Sequence, residues 1–216
     1  MNIERRQCLA AMGAGLLAAC GNGAARRASV PQRSVARPNL YQCEGCEGAL
    51  ERNPASLTNH ATIGSRSEPG EPLLISGRVR LVDGRTYAPN VIIYAYQTNA
   101  AGLYAGGVAG SEASRRHGRL RGWVRTGADG SYRFSTIKPA PYPREKLPAH
   151  IHFTIVEPGR RPYWIDDIVF DGEFGVTSEY RNGMTNKGGN GIVSLSRSQS
   201  GVWLARRDIV LERHPD

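Results

Sequence analysis

His150 and His152 stand two residues apart in the run P-A-H-I-H-F-T-I. Side chains alternate faces along a strand, so the two imidazoles share one face while Ile151, Phe153 and Ile155 take the other. Two imidazoles on one face, with an apolar row behind them, make a metal chelate on a rigid support. A plainer role is also open, that of hydrogen-bonded residues at a core edge. Tyr142 lies just upstream in a proline-rich turn, P-A-P-Y-P, and Tyr104 lies in a long loop after A-A-G-L. Each tyrosine alone is an ordinary resident of such a segment.

Strands must carry these residues. The chain has 216 residues, enough for one domain with a proper core plus a tail, and it holds 26 glycines and 13 prolines. Outside the first twenty residues no long stretch shows a helical apolar period, so the expected class is all-β. Residues 74–81 alternate, and Asp83-Gly84 supplies a turn. Strands are also expected at 91–96, 122–126, 132–135 and 163–170, with a turn at Asp129-Gly130. A glycine-rich loop, 183–191, precedes a last hairpin of 192–195 with 202–211. Short strands at this spacing predict a β-sandwich or barrel, mostly antiparallel with long loops, over residues 73–213.

The first nineteen residues read as a signal peptide. Arg5 and Arg6 give a positive start, and residues 8–19 are small and apolar. Twelve residues make about 18 Å of helix, too short for a hydrocarbon core of about 30 Å. Leu17-Ala18-Ala19-Cys20 resembles a bacterial lipobox with Cys20 as the lipidation site, and the arginine pair resembles a twin-arginine signal. The expected location is therefore the cell envelope, with a lipid anchor in the membrane. Residues 20–72 read as a tether followed by an irregular segment. Within it Cys43 and Cys46 form C-E-G-C, a short-loop disulfide candidate in an exported chain. The formal charge of +9 comes from scattered arginines, which argues against a nucleic-acid partner.

From Ser76 to about Gly172 the chain resembles the intradiol ring-cleavage dioxygenases, a family of ferric enzymes. The motifs stand in the family's order: S-G-R-V, N-A-A-G-L-Y, then R-G-W-V-R-T-G-A-D-G-S-Y-R-F-S-T-I-K-P-A-P-Y-P. They are followed by P-A-H-I-H-F and D-G-E. The opening C-E-G-C-E and the D-D-I-V-F strand resemble an exported branch of that family.

The resemblance implies one non-haem Fe(III) held by Tyr104, Tyr142, His150 and His152. Phenolates suit ferric iron and neutral imidazoles complete the set without excess charge. Tyr142 and His152 would be axial, with Tyr142 also accepting a substrate proton, and Tyr104 and His150 equatorial. The implied reaction takes a catechol-type diol and O2 to a muconate-type diacid. Family members are often homo-oligomers. Two positions depart from the pattern: Leu147 stands where the well-studied enzymes carry arginine, and Asp167 where they carry glutamine. Arg121 and Arg144, with Leu147 and Asp167, are the pocket candidates. Asp166 and Asp167 read as a solvated edge or an ion-pair partner. A second reading is a non-catalytic sandwich module, since G-R-V…A-P-N-V…D-G-S-Y-R-F also resembles carboxypeptidase regulatory-like and transthyretin-like domains.

Overall fold

The structure, a computed structural model, describes residues 36–215 apart from 105, 107–110 and 112–114. The expected signal peptide, Cys20 and most of the tether lie outside those residues. Eleven strands follow in chain order: β1 (His60–Thr62), β2 (Pro72–Arg80), β3 (Ile92–Gln97), β4 (Arg121–Arg125), β5 (Ser131–Ile137) and β6 (His150–Val156) come first. After them come β7 (Tyr163–Phe170), β8 (Ile192–Val193), β9 (Leu195–Arg197), β10 (Trp203–Arg206) and β11 (Ile209–Val210). A short helix, α1 (Ser178–Gly183), links β7 to β8 and is capped by the Thr177 hydroxyl. No helix among the described residues is long and apolar enough to cross a membrane.

The strands form two sheets, as an all-β sandwich requires. One runs β1-β5-β2-β10-β9 with β11 also on β2, the other β4-β3-β6-β7-β8. The long pairings, β2 with β5 and β3-β4, β3-β6 and β6-β7, are antiparallel. Short parallel pairings extend them: β1 on β5, β10 and β11 on β2, and β8 on β7. This corrects the expected last hairpin. Residues 195–197 pair with 203–206, whereas Ile192 and Val193 leave for the other sheet.

Between the sheets lies the core. From the first sheet come Ile75, Val79, Tyr132 and Phe134, and from the second Ile93, Val124, Ile151, Phe153, Ile155 and Ile165. Phe153 meets Phe134 at 5.7 Å and Tyr132 edge-on at 6.0 Å between ring centroids, each pair worth about 0.5–1.5 kcal/mol beyond its burial. Strand alternation puts Tyr94, Tyr96 and Trp123 on the opposite, outer face of the second sheet. The segment 46–57 covers part of that face. Trp123 donates through Nε1 to the Gly48 carbonyl at 3.0 Å, and a Cβ on Gly48 would come within 3.1 Å of the Tyr94 ring. Leu40, Cys46, Ala49 and Ile63 are buried, so the segment before residue 73 packs into the same body and is not merely a wrapping. Cys43 and Cys46 are joined as a disulfide.

Candidate metal centre

His150 and His152 project together from the outer face of β6. His152 pairs with Tyr96 of β3, and the two rings stack at 4.4 Å, which walls one side of the imidazole. On the other side, the pairing of β6 with β7 shifts register between Ile151 and Phe153. Ile151 faces Ile168 while Phe153 faces Ile165, so two β7 residues, Asp166 and Asp167, stand against one. Both isoleucines stay buried and the extra residue turns Asp167 outward. Its Oδ1 accepts from His152 Nδ1 at 2.9 Å.

The tyrosines arrive on two loops clamped together. Asn99 Oδ1 accepts from the backbone N–H of Ala101 and of Leu103, at 2.9 and 3.0 Å, which curls the loop before Tyr104. Gly102, at φ 75°, lies so close to the Tyr142 loop that a Cβ there would stand 2.0 Å from the Pro141 carbonyl oxygen. Thr98 Oγ1 donates to the Ala140 carbonyl at 2.7 Å and Ala140 N–H to that of Asn99 at 3.1 Å.

Four donor atoms thereby meet at the corners of a closed ring. Tyr104 Oη is 2.6 Å from Tyr142 Oη and 3.0 Å from His152 Nε2; His150 Nε2 is 3.2 Å from Tyr142 Oη and 3.1 Å from His152 Nε2. The tautomers follow from the outer contacts. His150 Nδ1 lies 2.8 Å from the Pro148 carbonyl and must donate to it, as His152 Nδ1 does to Asp167. In the neutral rings both Nε2 atoms are then bare lone pairs facing each other. Burial lowers the His150 pKa, favouring that neutral form, and raises those of Tyr104 and Tyr142. The two phenols bring two protons to four contacts, so two contacts set lone pair against lone pair. A cation accepting all four removes that repulsion, and two phenolates with two imidazoles form a donor set suited to a hard, oxidised transition metal.

Two cavities flank the ring of donors. One, of about 310 Å³, is lined by Tyr104, Tyr142, His152 and Tyr96 together with His117 and Arg116. The other, of about 400 Å³, lies across His152 and includes Asp166, Asp167, Trp164 and Tyr180. Glu44, inside the disulfide loop, borders both.

Asp167 is therefore the orienting partner of His152. Asp166 is buried, not solvated, and accepts from Thr185 Oγ1 at 2.5 Å. The other pocket candidates do not line either cavity. Arg121 lies over the Trp123 ring in an ion pair with Glu51 at 2.8 Å, Arg144 sits at φ 72° in the proline turn, and Leu147 is half exposed. Tyr96, His117 and Glu44 went unread in the sequence. The Y-A-Y of β3 placed Tyr96 on one face, but no local pattern marked His117 or Glu44 as neighbours of the donors.

A family model described as a dioxygenase matches residues 48–185, more than half of the chain. The chain belongs to the intradiol dioxygenase family. It is 28% identical over 182 residues to a chlorocatechol 1,2-dioxygenase of Cupriavidus pinatubonensis, covering 77% of this chain and 68% of that protein. With the protocatechuate 3,4-dioxygenase beta chain of Burkholderia cepacia it shares 34% identity over 138 residues, 60% of this chain and 56% of that one. Among solved structures, the dioxygenase domain of a dioxygenase–carbohydrate-binding protein fusion from Streptomyces sp. SirexAA-E superposes with a TM-score of 0.53 at 24% identity, covering 73% of this chain and 90% of that one. Catechol 1,2-dioxygenase from Acinetobacter sp. ADP1 gives 0.54 at 20% identity, covering 72% and 57%. These structural likenesses establish a shared sandwich.

Proposed function

We propose that this intradiol dioxygenase-family protein binds one Fe(III) through Tyr104, Tyr142, His150 and His152 and cleaves the ring of a catechol-type diol with O2 to a muconate-type diacid. The observation that carries the proposal is the closed ring of four donor atoms with too few protons to satisfy it. A ferric ion there would be held by these four residues and would supply Lewis acidity toward a chelated diol.

The chain's own residues do the rest. Pro148 and Asp167 hold the two imidazoles in the tautomer that turns each Nε2 inward. Tyr142 lies at the cavity wall with its hydroxyl 2.6 Å from Tyr104 Oη and 3.2 Å from His150 Nε2, placed to accept a diol proton as its phenolate. Tyr96, stacked on His152, keeps solvent from that ring's face. A non-catalytic sandwich module would leave this arrangement without a role. The test is turnover. Iron-loaded protein should consume one O2 per catechol and form a ring-opened diacid; intact catechol after prolonged aerobic incubation would contradict ring cleavage.

We also infer export to the cell envelope with a lipid anchor on Cys20. Support comes from Arg5, Arg6 and the Leu17–Cys20 lipobox and from the Cys43–Cys46 disulfide, which belongs in an oxidising compartment. Membrane-fraction protein should shift to the soluble fraction on Cys20→Ala, and unchanged partitioning would contradict the anchor.

A further inference from the structure

His117 lies in the cavity with the two phenols, yet it is no part of the donor ring. It is 8% exposed, and its ring stacks flat on Tyr96 at 3.7 Å with planes 4° apart. Tyr96 stacks in turn on His152. His117 thus stands one ring farther from the donors than Tyr96 does, on the wall of the cavity that Tyr104, Tyr142 and His152 also line.

Hydrogen bonding fixes what His117 offers there. Its Nδ1 is 2.8 Å from the hydroxyl of Tyr94, a fully buried residue. Among the described residues that hydroxyl has no other hydrogen-bond partner. A buried phenol with this one partner gives its proton to it, so Tyr94 donates to Nδ1 and the His117 proton resides on Nε2. Among the described residues Nε2 has no hydrogen-bond partner. Burial depresses the His117 pKa to about 4, so the ring is neutral at ordinary pH and keeps this single tautomer.

We propose that His117 donates a hydrogen bond from Nε2 to an acceptor substituent on the ring of the bound diol, a hydroxyl or carboxylate remote from the vicinal oxygens. The inference rests on the dioxygenase reading of the site. A donor with no other partner discriminates strongly, because a ring lacking the acceptor leaves it unpaired.

The experiment is anaerobic titration of iron-loaded protein with catechol and with 3,4-dihydroxybenzoate, which adds a carboxylate. In His117→Phe the dissociation constant for 3,4-dihydroxybenzoate should rise about tenfold relative to that for catechol. His117→Gln, which keeps an N–H donor, should recover most of the difference. Tyr94→Phe leaves the imidazole and its stack in place, frees the tautomer, and should give an intermediate loss even if His117→Phe does not fold. Equal changes for both diols in every variant, or no change, would overturn the inference while leaving the dioxygenase reading intact. Wild-type protein that binds neither diol would overturn that reading and this inference with it.

Discussion

Each histidine of the donor ring has its inward lone pair set by an outward hydrogen bond, His150 by the Pro148 carbonyl and His152 by the Asp167 carboxylate. Such outer partners commonly govern 10–100-fold of metal affinity. Asp167→Asn should weaken iron binding within about that range, measured by competition with a chelator, while His152→Ala should abolish retention with the fold intact. Full iron occupancy in His152→Ala would contradict the ligand assignment. At this scale the sequence was legible where spacing alone decides direction: a two-residue interval in a strand put both imidazoles on one face. Asp167 was harder to read because strict alternation does not place it. The clue was present in Ile165-Asp-Asp-Ile168, two apolar residues three apart that can both reach the core only across a bulge.

Elements bring the tyrosines to the histidines. Tyr104 and Tyr142 are 38 residues apart and meet because one loop lies on the other at Gly102. Gly102→Ala would face both an unfavourable positive φ and the Pro141 carbonyl. It should lower stability by about 1–3 kcal/mol and, more tellingly, weaken iron binding by parting the two phenols. Thermal melts and iron titration on the same variant separate the two effects; full iron affinity would show that the contact is not what joins the loops. Cys43–Cys46 closes a very short loop, with a sequence separation of 3, for which the chain-entropy relation gives about 2 kcal/mol. Reduction should therefore cost modest stability in urea unfolding, and a collapse of the whole fold would contradict a local staple. Strands β2 to β7 were readable from apolar runs bounded by turns. β1 and the terminal pairings were not, because two- or three-residue strands carry too little pattern and their partners are set by the sheets already formed.

Across the whole molecule, two sheets give a rigid core and leave one outer face, that of β3 and β6, to hold chemistry. Burial of His117 on that face has a global consequence. Its folded pKa is about 4 against 6.5 in a free ring, so the unfolded chain binds the extra proton between those values. The contribution to stability is present above pH 6.5 and is lost as pH falls toward 4. Urea midpoints should drop between pH 7 and pH 5, and less steeply in His117→Gln; identical pH slopes would remove His117 as a cause. Net charge and composition read the class correctly but not the site, since a charge of +9 spread over scattered arginines leaves cavities bordered by Glu44, Asp166 and Asp167. The most direct measurement is the visible spectrum of the iron-reconstituted protein lacking only residues 1–35, which keeps the buried Leu40, before and after anaerobic catechol. Two tyrosinates on Fe(III) should give a burgundy protein with one iron per chain and a charge-transfer band that moves when catechol binds. A colourless protein that remains iron-free after reconstitution would contradict the metal centre on which the account depends.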